Sequence, residues 1–362
     1  MIDFIPLKYY APIYFFLLLL LTLFVWINSR SYTLTDVVNQ DRLARIGKVL
    51  ILFSCLYIGL RPIDGIYFGD TITYAQTFEK YQRNIFTEAK DSEKVFQFLM
   101  SNFAKITSVN IFLLFCGCLY IIPLYLACKK MFKTYWFLPF FMLVISLSFW
   151  AYGVNGVRNG IATSLFIYAL SLDSLPLQIA FFFLGLGFHQ SLLLPIVGFV
   201  LTKINNNSKF YLLFWLLCIP ISLVAGNLFS GFFASYFEND KLNAYLIEEN
   251  TEDHFSHVGF RWDFLLYSMT AVYAVWYFVF KKKFEDVLYN RIANIYLFAN
   301  GVWVLVIRSN FSNRFAYLSW FLLGLVIVYP FLKQQFFKDQ YIVLSTVIFF
   351  YFMFTFFLDV VL

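Results

Sequence analysis

Three histidines occur in the sequence. One of them, His189, stands inside Gly185-Leu-Gly-Phe-His-Gln-Ser-Leu-Leu-Leu-Pro195, an otherwise apolar stretch. An imidazole titrates near neutral pH and can take or hold a proton, so the residue suits a general base that engages an attacking hydroxyl. Gln190 and Ser191 follow it and could orient the ring. The plainer reading is a core histidine bonded to a backbone carbonyl. Asp70, in Gly69-Asp-Thr-Ile-Thr-Tyr74, is the rival base or a sugar-binding carboxylate. It is equally suited to capping a helix, with Tyr74 one turn along. His254 and His257 lie beside Asp253 in an acidic stretch, at a spacing that does not define a metal site.

The second chemical feature is a set of arginines near the ends of apolar runs: Arg61, Arg158, Arg261, Arg308 and Arg314. A guanidinium stays charged, and its planar fork matches two phosphate oxygens. Ionisable groups at the edge of a membrane span are costly and tend to mark function. As a set they suit a diphosphate held at a membrane surface; taken singly, each could instead pair with Asp70, Glu93 or Asp263. Arg158 opens a helix within Asn155-Gly-Val-Arg-Asn-Gly-Ile-Ala-Thr-Ser164, where backbone N–H groups already favour anions. Gly160, Ala162 and Ser164 keep one face of that helix small, which permits close packing. Neither a metal nor a cofactor is called for. The five cysteines lie in apolar runs without zinc-ligand spacing.

These groups must be positioned by helices in a bilayer. The chain is 61% hydrophobic and 13% charged, whereas soluble domains carry about 25% charged residues. The fold class is therefore an all-α polytopic integral membrane protein. Its 49 phenylalanines read as lipid-facing filler. Residues 11–27 form an anchor helix, and further spans are expected at 47–60, 109–128, 134–152, 159–172, 210–228, 262–280, 291–307, 315–332 and 340–360. Lys and Arg concentrate in cytoplasmic loops, and the basic clusters fall on one side only if 176–202 doubles back as a hairpin. Each arm of that hairpin has about 13 residues, roughly 20 Å, too short for a core of about 30 Å. His189 then sits near the tip of a partial insertion at the outer side, where broken backbone requires protein or a watery cavity beside it. About 12 transmembrane or partly inserted helices result, in a single domain covering 1–362, with outer-face segments at 61–107 and 230–261. No loop is long enough for a nucleotide-binding domain. The net charge of +6 is concentrated on the inner side, and no nucleic-acid partner is expected.

Gly59-Leu60-Arg61, then Gly69-Asp70 and Tyr74, then Glu93 ahead of an amphipathic stretch, follow one another in order. After these come Arg158-Asn-Gly-Ile-Ala, Phe188-His189-Gln-Ser191 and Asn313-Arg314-Phe-Ala-Tyr317. In this pattern the chain resembles the EpsG family of exopolysaccharide and O-antigen polymerases, the Wzy-type enzymes. The link from Arg61 to Asp70 runs a few residues longer than the family pattern, through Pro62-Ile-Asp64-Gly. The resemblance implies a GT-C-like transferase fold at the bacterial cytoplasmic membrane, with the active site facing outward. It implies inverting, metal-independent glycosyl transfer from a glycan on undecaprenyl diphosphate to a repeat unit on the same lipid. In that scheme Arg158, Arg314, Arg261, Arg61 and Arg308 hold the leaving diphosphate, and His189 or Asp70 is the base. Tyr74, Glu93, Asn159, Ser191, Asp263 and Tyr317 bind sugar or support the site. The bilayer, a chain-length regulator and a flippase would be its partners.

Three other activities share parts of this pattern. A lipid-linked oligosaccharide flippase would need charges at the midplane and repeat symmetry. A membrane O-acyltransferase would need acyl-donor entry near the histidine, and an O-antigen ligase would differ only in its acceptor.

Overall fold

The computed structural model describes residue 2 and residues 4–85, 93–236, 259–309 and 312–361. Asp253, His254 and His257, with most of the 230–261 segment, lie outside the described residues.

Every regular element among the described residues is helical. In chain order they are α1 (Leu7–Asn28), α2 (Val37–Gly59), α3 (Thr71–Gln82), α4 (Lys94–Ile106) and α5 (Val109–Phe132). There follow α6 (Phe137–Val144), α7 (Leu147–Val154), α8 (Val157–Leu170), α9 (Leu175–Phe188) and α10 (Leu193–Ile204). The last five are α11 (Ser208–Tyr236), α12 (Trp262–Val275), α13 (Val287–Leu305), α14 (Ser312–Lys333) and α15 (Gln340–Phe356). Local chemistry fixes several starts. Asp36 accepts the Asn39 N–H at 2.9 Å ahead of α2, and Asp286 accepts the Tyr289 N–H at 2.8 Å ahead of α13.

Among the described residues six helices are long and apolar enough to cross a membrane: Leu7–Asn28, Val109–Tyr135, Ser208–Gly226, Trp262–Lys281, Arg314–Lys333 and Gln340–Val360. The other expected spans differ from expectation. The run 134–152 is two helices, α6 and α7, bent by 68°. At the bend Ser146 turns its hydroxyl back onto the Leu143 carbonyl at 2.7 Å. The run 159–172 is α8, whose 14 residues reach only about 21 Å at 1.5 Å each. Most of α8 and all of α6 are buried. The run 47–60 starts earlier, in α2, whose first half carries Asp41, Arg42, Arg45 and Lys48. The run 291–307 is α13, which buries Asn294 and Asn300 completely. Helices surrounded by protein can be short or polar because neighbours, not lipid, meet their needs.

The described residues form two compact units, Met1–Leu193 with Phe331–Leu362, and Leu194–Pro330. In the first, α1 is tied to α15 by the Trp26 indole donating to Thr346 at 3.2 Å and by the Ser29–Ser345 hydroxyl pair at 2.6 Å. Helices α2, α5, α8 and α9 pack in sequence. The face of α8 that the sequence keeps small is indeed a contact face. A Cβ on Gly160 would meet the Tyr152 carbonyl at 3.0 Å and the Tyr120 ring at 3.2 Å.

The second unit is held by a buried polar knot. Asn300 accepts from the Trp215 indole at 2.7 Å and donates to Ser319 at 2.9 Å and to Ser268 at 3.1 Å. The Trp320 indole also donates to Ser268, at 2.7 Å. One residue from each of α11 and α13, one from α12 and two from α14 are thereby joined with no charge involved.

Candidate functional site

The apolar run 176–202 breaks where the sequence places its polar residues. Helix α9 ends at Phe188, His189 is extended (φ −157°, ψ 129°), and a single 3-10 turn, Gln190–Leu192, follows. Two glycines bring this end of α9 close to its neighbours. A Cβ on Gly185 would collide with Leu192 and crowd the Ala162 carbonyl of α8, and one on Gly187 would collide with Val95 of α4. Glycine at these two positions therefore places His189 between the start of α8 and the start of α4.

The His189 ring is held by a short relay. Its Nδ1 lies 2.7 Å from Ser191 Oγ and accepts the Ser191 backbone N–H at 3.2 Å, and Ser191 Oγ is 2.6 Å from Asn159 Oδ1. A hydroxyl has one proton. If Ser191 gives it to the Asn159 carbonyl, Nδ1 must donate to Oγ and gives up its bond from the Ser191 N–H, and the lone pair of the neutral ring sits on Nε2. A flipped Asn159 amide reverses the chain, keeps the Ser191 N–H bond to Nδ1 and puts the proton on Nε2. The first arrangement makes His189 a base at Nε2, and the second makes it a hydrogen-bond donor there. His189 lies outside the six spans. Burial, and then the positive charge of Arg158, lower its pKa to about 4, so the ring is neutral at neutral pH.

Arg158 is the second residue of α8. Its Nη1 pairs with Glu93 and its Nε donates to the Tyr74 hydroxyl at 3.2 Å. The guanidinium also faces the rings of Tyr74 and Phe96, at 5.4 and 5.9 Å. Its side chain keeps 24% exposure, and Nη2 has no hydrogen-bond partner among the described residues. One edge of the fork is thus committed and the other is available to an oxyanion.

Arg61 has a different place from the one expected of a phosphate ligand. It is 1% exposed. Its Nε and Nη2 donate to Thr71 Oγ1 at 3.1 and 2.9 Å, its Nη1 to the Ile58 carbonyl at 2.7 Å, and its Nη2 also to the Val154 carbonyl at 3.1 Å. The residue bolts the end of α2 to the start of α3 and the end of α7. Beside it, Asn155 Oδ1 accepts the Asp70 N–H at 3.0 Å. Gly69 has φ +50°, and a Cβ there would strike the Asn155 amide, so only glycine fits. Asp70 occupies the cap position of α3 without making the capping hydrogen bond, and its carboxylate is exposed and within electrostatic reach of Arg158.

The remaining candidates belong to the second unit. Arg261 is forked onto Asp263, Nε to Oδ1 at 2.9 Å and Nη2 to Oδ2 at 2.5 Å, and lies 3.5 Å from the Phe264 ring centroid. Arg308 is exposed and reaches the Leu223 carbonyl at 3.4 Å. Arg314 is exposed on α14, where Tyr317 packs against Trp320 at 5.7 Å. Ion pairing, the plainer of the two sequence readings, is therefore realised for Arg158 with Glu93 and for Arg261 with Asp263.

The first unit brings together Asp70, Tyr74, Glu93, Arg158, Asn159, His189 and Ser191. Sequence reasoning missed Thr71, Asn155, Gly185 and Gly187, which position that group. Gly185 was legible as a small residue one turn before the histidine, and Gly187 as a second small residue just ahead of it; nothing marked Asn155 or Thr71. Among the described residues no group of three or more His, Cys, Asp and Glu side chains could hold a metal.

A model of the EpsG family matches residues 45–361. Compared with curated proteins and with solved structures, the chain has no significant match.

Proposed function

The chain belongs to the EpsG family, and on that premise we propose that it polymerises lipid-linked oligosaccharide repeat units into a surface polysaccharide. The donor is a growing glycan on undecaprenyl diphosphate and the acceptor is a single repeat unit on the same lipid. Transfer takes place at the outer face of the bacterial cytoplasmic membrane, without metal or cofactor, on a GT-C-like arrangement of helices. A chain-length regulator and a flippase act alongside it.

The observation that carries this reading is the clustering of Arg158 with His189 at the start of α8. In the proposed step an acceptor hydroxyl attacks the anomeric carbon of the donor from the side opposite the diphosphate. The new glycosidic C–O bond forms as the bond to the diphosphate oxygen breaks, and the electron pair leaves with the diphosphate. Nη2 of Arg158 meets the charge that develops on that oxygen, the electrostatic contribution that usually dominates catalysis. The hydroxyl proton passes to Nε2 of His189 in the relay arrangement that leaves the lone pair there, with Asp70 as the alternative acceptor. Ser191 and Asn159 fix the ring, and Glu93 and Tyr74 fix the guanidinium.

The test is polymer formation by the purified protein in liposomes supplied only with its undecaprenyl-diphosphate repeat unit. A glycan ladder with wild type, absent with His189→Ala and with Arg158→Ala, supports a polymerase working from this site. A folded wild type that makes no ladder but moves the lipid-linked substrate between leaflets would establish a flippase instead. Acyl transfer to the glycan in a parallel reaction with an added acyl thioester would establish an O-acyltransferase.

A further inference from the structure

An open cavity of mixed polar and apolar lining, which the proposed reaction does not use, lies in the first unit, at the other end of α2 and α5. It encloses about 530 Å³, between residues 29–35, Tyr135, and the segment from Phe331 to Ile342. Helix α2 starts beside it and ends next to Arg61; α5 starts at the opposite end and finishes beside Tyr135. The 23 and 24 residues of these helices place it roughly 35 Å from the Arg158 cluster.

Three cations line the cavity, Arg30, Lys333 and Lys338, against one carboxylate, Asp339. The Arg30 guanidinium lies 4.0 Å from the Trp26 ring centroid, and neither the Arg30 nor the Lys338 side chain has a hydrogen bond or ion pair among the described residues. Lys333 is fixed, its Nζ donating to the Met131 carbonyl at 2.7 Å above the Phe132 ring. Asp339 stands at the cap position of α15 without a capping hydrogen bond, and no ion pair joins it to these cations. Ser31 and Thr33 add hydroxyl donors to the same wall. The Arg30 and Lys338 side chains and the Ser31 hydroxyl, uncommitted among the described residues around one void, match an anion with several oxygens. Two of the framing helices, α1 and α15, are candidate spans that begin or end at the cavity, so it sits at headgroup level.

We propose that this cavity binds the phosphate of an anionic lipid headgroup, at the end of the first unit opposite the Arg158 cluster. The ligand clips the α1–α2 connection to the α14–α15 connection, and Arg30 supplies the planar fork. Juxtamembrane cations act on anionic headgroups through this chemistry.

The test uses the full-length protein in nanodiscs of phosphatidylcholine with and without phosphatidylglycerol, with retained lipid counted by native mass spectrometry. Wild type should retain phosphatidylglycerol selectively, and Arg30→Gln with Lys338→Gln should weaken retention about thirtyfold. Asp339→Asn should tighten it, a gain that misfolding cannot mimic. Lys281→Gln with Lys282→Gln, a basic pair in the second unit, should leave it unchanged. Inorganic phosphate titrated into phosphatidylcholine discs separates the sources: saturable protection lost in the Arg30/Lys338 variant supports the same site filled by a soluble phosphate. The proposal is overturned if that variant retains lipid as wild type does and phosphate has no effect, or if the Lys281/Lys282 control loses retention equally.

Discussion

Arg61 and Arg158 belong to one unit, each beside the end of a helix, and they use their donors in opposite ways. Arg61 is sealed, with every bonded nitrogen directed at a neutral acceptor: a threonine hydroxyl and two backbone carbonyls. Among the described residues its charge has no counter-ion to exchange, and the side chain is buried from solvent. Arg158 is paired with a carboxylate, braced by Tyr74, and keeps one nitrogen uncommitted at a partly open surface. A guanidinium of the first kind fixes backbone, and one of the second kind can trade a carboxylate for a phosphate. Counting donors, rather than charge or location, separates scaffold from site.

The contrast breaks most easily at Arg158. Arg158→Ala should lower the rate of polymer formation about a thousandfold. It also strands Glu93, so Arg158→Ala with Glu93→Gln should recover thermal stability while staying inactive. Recovered activity in that double variant would make the arginine a structural ion pair. His189→Gln should cost about a hundredfold in initial rate. Because burial and Arg158 hold the histidine pKa down, the neutral ring persists as pH falls. The wild-type rate should therefore show no acid limb near the ordinary histidine value of about 6.5, and such a limb in the pH–rate profile would show the ring to be unshielded.

At Arg61 the expected loss is in stability. Arg61→Met should remove about 3 kcal/mol, read from denaturant or thermal unfolding, since hydrogen bonds to a buried charged group are among the stronger ones. The turnover of the molecules that remain folded should stay within about threefold of wild type, as expected of a group that only fixes backbone. A specific loss of turnover without a loss of stability would return Arg61 to the diphosphate set. The smallest effect sharpens the relay. Ser191→Ala should cost about tenfold in rate, the scale seen when an orienting partner is lost.

Much of this was legible in residues 176–202 and 157–164. A polar triplet amid apolar residues located the chain break at His189, and Gly160, Ala162 and Ser164 located a packing face on α8. The broken span at 134–152 was not legible, because α6 is apolar on every side and Ser146, whose hydroxyl meets the Leu143 carbonyl at the bend, is a residue that helices also accommodate. The place of Arg61 was not legible either. Two of its acceptors, the carbonyls of Ile58 and Val154, are backbone groups that every residue type carries alike.

By itself the sequence determined that this is a helical membrane protein, because burying so many apolar side chains with so few charges leaves no other solvent for them. It also determined the family, through the order of its arginine, aspartate and histidine motifs. Only the tertiary structure decided which arginines have a donor to offer. That depends on which carbonyls, hydroxyls and carboxylates distant segments bring within about 3 Å, and no local spacing encodes it.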